Sequence, residues 1–166
     1  AHGGDARRVF VGGHSAGGHL AALLGVTAAW RQARGLEAQP LAGCLPVSGT
    51  YRFGEGSGLA MRPRFLGPED GGGAERRASP LAQLDAAACP PFLVSWGGRD
   101  FPHLARQSEE MVSALRAAGV DVEAEVLDGC DHFEASLACG DEPWAARAAA
   151  WMRQRGAARL PTGEWR

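Results

Sequence analysis

The first stretch of the chain that could carry out chemistry is Gly13-His14-Ser15-Ala16-Gly17, which has the form G-x-S-x-G. The short run Arg8 to Gly12 precedes it and predicts a buried strand, while the largely apolar run Ala16 to Trp30 follows it and predicts a buried helix. A serine on such a sharp strand-to-helix turn presents its hydroxyl outside the sheet as a nucleophile. Glycines two positions before and after it would remove clashes with the neighbouring strand and helix. The alternative is an ordinary glycine-rich turn.

A serine hydroxyl needs a general base to take its proton, and five histidines compete for that role. His132 is favoured because it directly follows a predicted strand, Val120 to Leu127, and the carboxyl ends of parallel strands are where such sheets place their chemistry. The alternative for His132 is a solvent-exposed loop histidine. The other four lie in the starting loop, inside the turn, on the following helix and at the start of a later helix: His2, His14, His19 and His103.

An acid that orients the histidine should also follow a strand. Asp100 comes directly after the predicted strand Phe92 to Trp96, where it could accept the imidazole N–H and stabilise the imidazolium. Asp128 is the rival because it also lies just past a strand, whereas Asp131 is adjacent to His132 and poorly placed to reach its ring. The favoured order along the chain is serine, then Asp100, then histidine.

Strands and helices alternate along the rest of the chain. A further strand is predicted at Leu41 to Val47, and helices at His103 to Ala118 and at about Glu142 to Arg155. Residues 49–79 are rich in Gly, Arg and Pro, which predicts an irregular excursion or a small cap. This alternation is typical of an α/β protein with a mostly parallel sheet flanked by helices.

Composition excludes several other classes of protein. Seventeen basic residues are scattered among nineteen acidic ones in a chain of 166 residues, so no basic stripe indicates a nucleic-acid partner. No apolar run approaches the ~20 residues of a membrane span, and no signal-peptide pattern opens the chain, so we expect a cytoplasmic protein. The four cysteines form no CxxC pair; we expect free thiols and no metal site, with a disulfide between Cys130 and Cys139 as the alternative.

Beyond these patterns, the chain resembles α/β-hydrolase serine esterases and the arylformamidases, or kynurenine formamidases, over roughly residues 3–155. The segment GGDARRVFVGGHSAGGHLAALL is similar to their nucleophile region, and PPFLVSWGGRD to their acid strand. The segments LARQSEEMVSALRAAGVDVE and DHFEASLACGDEPWAARAAAWM are similar to the helix after that strand, and to the histidine loop with its closing helix. The resemblance implies the α/β-hydrolase fold.

By this resemblance Ser15 is the nucleophile, His132 the general base and acid, and Asp100 the orienting acid. The N–H of Ala16 would supply one oxyanion donor. The implied reaction is acyl transfer from a small ester or aryl-formamide substrate to the serine, followed by hydrolysis, with neither a cofactor nor a metal. The alternatives are a general carboxylesterase acting on short acyl esters and a non-catalytic relic of the fold. The oligomeric state is left open, and substrate contacts, or else ordinary loop packing, are expected from Tyr51, Phe53, Met61 and Phe65.

The chain departs from the family pattern in one place. Enzymes of this kind carry an early H-G-G loop that completes the oxyanion hole, and His2-Gly3-Gly4 imitates it only 11 positions before Ser15. A helix and further strands should separate the two, so we interpret these residues as the loop entering the first strand. We therefore expect residues 1–166 to be the C-terminal part of a single domain that lacks its N-terminal strands. The strand Arg8 to Gly12 should then have partners on only one side.

Overall fold

The computed structural model describes residues 4–5, 8–36, 40–68 and 70–157. The strands in these residues are Val9–His14 (β1), Leu41–Val47 (β2), Phe92–Gly97 (β3) and Val122–Leu127 (β4). The α-helices are Ala16–Val26 (α1), Ala29–Gln32 (α2), Gly73–Ala78 (α3), Pro80–Gln83 (α4), Pro102–Ala117 (α5), His132–Ala138 (α6) and Glu142–Ala157 (α7). Short 3-10 turns occur at Arg64–Leu66 and Ala86–Ala88.

The four strands form one parallel sheet in the order β1-β2-β3-β4. Every residue of the two central strands is buried, as expected when helices cover both faces of a parallel sheet. All four predicted strands are confirmed, with ends that move by no more than two residues. The prediction that the first strand is buried is wrong, because every residue of β1 is at least partly exposed. The strand that precedes Ser15 lies at the edge of the described sheet, as predicted, and Val9 on it is exposed.

Helices pack on both faces of this sheet. Alternate strand residues such as Phe92 and Val94 form one core with the helices α1 and α5, which contributes Met111 to it. Their neighbours along the strands, such as Leu45 and Leu93, face the other way and pack against Trp151 of α7. This layered arrangement is that of an α/β protein, as the alternation of elements predicts.

Two helices differ from the sequence-based predictions. The helix expected over Ala16 to Trp30 ends at Val26, because Thr27 adopts an extended conformation, and a separate short helix follows. The helix α1 was also expected to be buried on all sides, but Leu20 on it is exposed. The loop expected to hold His132 is instead the beginning of α6, which the sequence analysis did not predict.

The excursion over residues 49–79 is mostly irregular, as predicted, and it is fastened to α5 by one buried side chain. The Oε1 atom of Gln107 accepts hydrogen bonds from the backbone N–H groups of Tyr51 and Arg52, at 2.6 and 2.7 Å. Its Nε2 atom donates to the carbonyl of Ser57 at 2.6 Å. This clamp fixes the start of the excursion beside the sheet.

Within the described residues, no helix combines the length and the apolar character that crossing a membrane requires.

Candidate active site

Ser15 lies on the turn between β1 and α1, in a backbone conformation that residues other than glycine rarely adopt. Its φ and ψ are 56° and −115°, a sparsely populated region that persists only where the surrounding structure enforces it. Part of that enforcement is a hydrogen bond of 2.9 Å from its N–H to the carbonyl of Val47, the last residue of the neighbouring strand β2. The turn therefore fits the sharp strand–turn–helix that a nucleophilic serine requires.

The glycine positions around the serine that have no room for a side chain differ in part from the prediction. A Cβ atom on Gly13 would lie 2.7 Å from the carbonyl carbon of Gly17, so this position tolerates only glycine, as expected. A Cβ on Gly17 itself would meet nothing within 4 Å, and the prediction that its small size removes a clash is wrong. The helix position that needs glycine is Gly18, where a Cβ would lie 2.7 Å from the carbonyl oxygen of Val47. The close approach of α1 to β2 occurs one residue later than expected.

The imidazole of His132 lies against the serine. Its Nε2 atom is 3.0 Å from the Oγ atom of Ser15. The backbone there is fixed because Asp131 caps the helix α6, accepting hydrogen bonds from the N–H groups of Phe133 and Glu134, and Glu134 accepts one from the N–H of Asp131 in return. Asp131 is therefore a capping residue, consistent with the expectation that it does not serve the histidine ring.

Asp100 lies on the other side of the imidazole, at the end of the β3–α5 turn. Its Oδ1 atom is 2.9 Å from Nδ1 of His132, and its side chain is fully buried. The two distances to the ring fit one tautomer, in which Nδ1–H donates to the carboxylate and Nε2 accepts the serine proton. The rival acid, Asp128, is exposed and makes no hydrogen bond to His132 in the part of the chain that the structure describes.

His14 packs beside the candidate base. Its Nε2 atom lies 2.8 Å from the backbone carbonyl of His132, and the two ring centroids are 4.6 Å apart. Burial lowers the pKa of His14 below its ordinary value, and the positive charge that His132 carries when protonated acts in the same direction. A neutral His14 avoids placing a second positive charge beside an imidazolium, which is the species that a general base must form.

Two other histidines, His19 and His103, have partners outside the candidate triad. His19 lies on α1, where Nε2 is 2.7 Å from the carbonyl of Ala78 and the ring packs against Phe53. His103 lies in the first turn of α5 and stacks on Phe101. His2 lies outside the described residues, as does Gly3 of the same H-G-G sequence.

The predicted oxyanion donor has a suitable position. Ala16 is the first residue of α1, and the first N–H groups of a helix have no acceptor within the helix. The helix N-terminus also favours negative charge nearby. Both features suit the N–H of Ala16 to an oxygen that becomes negative next to Ser15.

The four predicted substrate contacts do not share one environment. Tyr51 is completely buried in the core with α1 and α5, so a substrate does not reach it, and here the packing alternative describes the residue. Phe53 is also buried, with its ring edge-on to those of His19 and Phe65. Met61 and Phe65 are 80% and 64% exposed and stay available to a substrate.

Three neighbours of the site were missed by the sequence analysis. Ser48 directly follows β2, and its Oγ atom donates a hydrogen bond to Oδ2 of Asp100. Phe101 and Phe133 lie with their ring centroids 5.0 and 5.6 Å from that of His132. The signal for all three was available, because each lies directly after a strand end or beside a candidate catalytic residue.

Sheet, turn and side-chain geometry together define a class of α/β protein with a serine, a histidine and an acid at the carboxyl ends of parallel strands. The chain belongs to the α/β-hydrolase fold family, whose model matches residues 1–135.

Similarities to individual proteins are consistent with this family. The chain is 32% identical over 131 residues to the kynurenine formamidase of Danio rerio, an alignment that covers 75% of this chain and 42% of that protein. A thermostable esterase from Pseudomonas putida is 25% identical, with a TM-score of 0.58, and the match covers 96% of this chain and 53% of that one. A truncated carbohydrate esterase from gut microbiota is 18% identical with a TM-score of 0.69, covering 88% and 59%, which shows the fold alone. The chain therefore spans about half the length of these relatives.

Proposed function

We propose that this chain carries the catalytic triad of a serine hydrolase that cleaves an aryl-formamide or a carboxylic ester through an acyl-enzyme. The observation that carries the proposal is the continuous chain of contacts from Ser15 Oγ to His132 Nε2, and from His132 Nδ1 to Asp100 Oδ1, at 3.0 and 2.9 Å. Both distances are those of hydrogen bonds that allow proton transfer.

In the first half of the proposed reaction, Nε2 of His132 takes the proton of Ser15 as Oγ attacks the carbonyl carbon of the substrate. The carbonyl oxygen becomes negative and is stabilised by the N–H of Ala16 and the N-terminus of α1. When the tetrahedral intermediate collapses, the bond to the amine or alcohol breaks, and the leaving group takes the proton from Nε2. Asp100 holds the ring in place and stabilises its charged form throughout.

In the second half, water replaces the leaving group. His132 removes a proton from the water as its oxygen attacks the acyl carbon, and the bond to Ser15 Oγ breaks as the serine recovers its proton. The acid released is formate if the substrate is a formamide, and a short carboxylic acid if it is an ester. These steps use side chains of this chain and one backbone N–H.

The formamide substrate is favoured by the similarity to the kynurenine formamidase of Danio rerio. Aromatic side chains beside the candidate base, Phe101 and Phe133, offer apolar surface to an aryl leaving group, and Phe133 is 70% exposed. A general carboxylesterase is the second candidate, and it is favoured by the esterase from Pseudomonas putida, which matches nearly the whole of this chain.

A fluorophosphonate probe tests the proposal, because it labels only an activated serine hydroxyl. We expect one label per chain, localised to Ser15 by peptide mass spectrometry, and none in the Ser15→Ala variant. The matched control Ser113→Ala removes an exposed serine on α5 and should label like the wild type. A wild-type chain that is folded and stays unlabelled would identify it as a non-catalytic relic.

The two substrates are separated by comparing kcat/KM for N-formylkynurenine with kcat/KM for p-nitrophenyl acetate. A formamidase should prefer the first substrate, and a general carboxylesterase the second. Labelling by the probe is expected in both cases, so the substrate test can fail without affecting the proposed mechanism.

A further inference from the structure

Ser48 is a buried serine that the proposed reaction does not use directly, yet it contacts the triad. It directly follows β2, its side chain is fully buried, and its Oγ atom donates a hydrogen bond to Oδ2 of Asp100. Its N–H is held by the carbonyl of Ser95 on the neighbouring strand β3, at 2.8 Å. The hydroxyl is therefore presented to the carboxylate from a fixed point in the sheet.

The two oxygens of Asp100 have different sets of donors. Oδ1 receives the N–H of Phe101 at 2.7 Å and lies 2.9 Å from Nδ1 of His132. Oδ2 accepts a hydrogen bond from the Ser48 hydroxyl, and within the described residues its only other donor is the N–H of Gly97, at the long distance of 3.3 Å. Burying the oxygens of a carboxylate is costly unless they accept hydrogen bonds, and the side chain of Asp100 is fully buried. Ser48 thus provides the shorter bond to the oxygen that the histidine does not use.

Whether a donor can orient the Asp100 carboxylate depends on the structural element that carries the donor. Gly97 and Phe101 belong to the same turn as Asp100, so their N–H groups move with the residue that they bind. Ser48 directly follows a different strand, β2, and its bond ties the carboxylate to a second element of the sheet. A rotation of the carboxyl group that turned Oδ1 away from His132 would break this bond.

The backbone of Ser48 adds an independent observation. Its φ is 49°, in the left-handed region that glycine adopts freely and other residues avoid. A glycine at this position would relieve the backbone but could not supply a hydroxyl. The conformational preference and the hydrogen bond to Asp100 therefore make opposite demands on residue 48, and this allows an experiment to separate them.

We propose that Ser48 is a positioning residue of the hydrolase, which orients the carboxylate of Asp100 so that Oδ1 faces the Nδ1–H of His132. It touches neither the substrate nor the reacting atoms and acts only through Asp100. The inference rests on the proposed function for its catalytic consequence, although the hydrogen-bonded geometry that it concerns can be measured without turnover.

The kinetic test compares Ser48→Ala and Ser48→Gly with the control Ser95→Ala. Ser95 is also a fully buried serine, but its hydroxyl accepts a hydrogen bond from Nε1 of Trp144 and does not touch the triad. We expect both Ser48 variants to lose about 10- to 100-fold in kcat, as for the loss of a hydrogen bond to a charged group, with KM changed by less than about twofold. Ser95→Ala should keep kcat within about threefold of the wild type.

Stability separates positioning from folding. Ser48→Gly should melt at a higher temperature than Ser48→Ala because the positive φ is relieved, while its kcat is equally low. In an Asp100→Asn background, Ser48→Ala should cause no further loss of kcat, since the group that it orients has already lost its function. If kcat follows the melting temperature across all variants, or if the two losses are additive, the proposal is wrong.

A spectroscopic readout keeps the proposal testable if turnover is absent. The proton between His132 Nδ1 and Asp100 should give a strongly deshielded proton resonance, assigned by its loss in Asp100→Asn. In Ser48→Ala this resonance should broaden or move upfield, and in Ser95→Ala it should not change. A wild-type spectrum without the resonance, or an unchanged one in Ser48→Ala, would overturn the inference. An inactive wild type with these expected shifts would overturn only the proposed function.

Discussion

The Nε2 atom of His132 lies 3.0 Å from the Oγ atom of Ser15, although 117 positions of the chain separate the two residues. Ser15 follows β1 and His132 follows β4, the two outer strands of the sheet that the described residues form, and the intervening strands set the distance between them. In the proposed mechanism the two side chains share a proton and act as one catalytic unit, so their contributions to the rate should not be additive.

The first prediction concerns this unit. Ser15→Ala and His132→Ala should each lower kcat by roughly 10³ to 10⁶, and the double variant should be little slower than either single variant. Single-turnover and steady-state assays on the preferred substrate measure the three values. Multiplying losses would show that the two residues act independently and would contradict a shared triad.

The second prediction concerns the choice of acid. Asp100→Asn should lower kcat by about 10⁴ because the amide does not hold the productive tautomer of His132. Asp128→Asn is the matched control, since Asp128 follows the adjacent strand but is exposed, and it should leave kcat within about threefold of the wild type. If Asp128→Asn proved the more damaging change, Asp100 would not be the acid.

The parallel sheet and the approximate position of all four strands were predictable from the sequence. Short apolar runs such as Leu41 to Val47 alternate along the chain with segments whose apolar residues have helical spacing. The three candidate catalytic residues were also predictable, since each follows a strand and carries a reactive group. Their distances remain a structural result, and their catalytic roles remain a proposal.

The parts that could not be predicted depend on contacts between distant segments. The requirement for glycine at position 18 arises from the carbonyl of Val47. No local sequence pattern predicts this contact. The burial of Tyr51 likewise follows from the docking of the excursion on α5 by Gln107, 56 positions away. The short helix α6 is a different case, because its signal is local: Asp131 and Glu134 have the spacing of a capping box, and the prediction of a loop at His132 overlooked it.

The third prediction tests the close approach of α1 to β2. Gly18→Ala places a Cβ 2.7 Å from the carbonyl oxygen of Val47 and should lower the free energy of unfolding by about 1–3 kcal/mol. Gly17→Ala is the control, because its Cβ meets nothing within 4 Å, and it should raise the free energy of unfolding by about 0.4–1 kcal/mol. Denaturant titrations of both variants measure the difference; equal destabilisation would mean that the helix does not approach the strand so closely.

The fourth prediction concerns the cysteines, all four of which are free thiols, as expected from the sequence. Burial raises the pKa of Cys89 to about 11, and the Asp85 carboxylate acts in the same direction. Burial also raises the pKa of Cys139 to about 11. Since only the thiolate reacts, iodoacetamide at pH 8 should modify these two residues about 10²-fold more slowly than in urea, where thiols recover their ordinary pKa of about 8.5. Timed peptide mass spectrometry checks this, and native labelling at the rate of the unfolded chain would contradict it.

The last prediction concerns the pH dependence of stability, and it centres on His19. Burial lowers the pKa of His19, and the hydrogen bond with the carbonyl of Ala78 only partly opposes this effect. The unfolded chain, in which histidine titrates near ~6.5, therefore binds a proton at a higher pH than the folded chain. Where the unfolded state binds more protons than the folded state, lowering the pH decreases the free energy of unfolding. The free energy of unfolding should thus be constant above the unfolded value and decrease as the pH falls from about 7 through 6.

The variant His19→Gln isolates this contribution because its amide can still donate to the carbonyl of Ala78 but does not titrate. Wild type should lose more free energy of unfolding between pH 7.5 and 5.5 than His19→Gln does, as measured by urea titration at each pH. His14 and His103, whose pKa values burial also lowers, leave a smaller residual slope in the variant. Carboxylates titrate mostly below this window, near ~4, and contribute little to the difference. Parallel stability curves for the two proteins would show that His19 takes up a proton equally well in the folded and unfolded states, which its buried contact with Phe53 argues against.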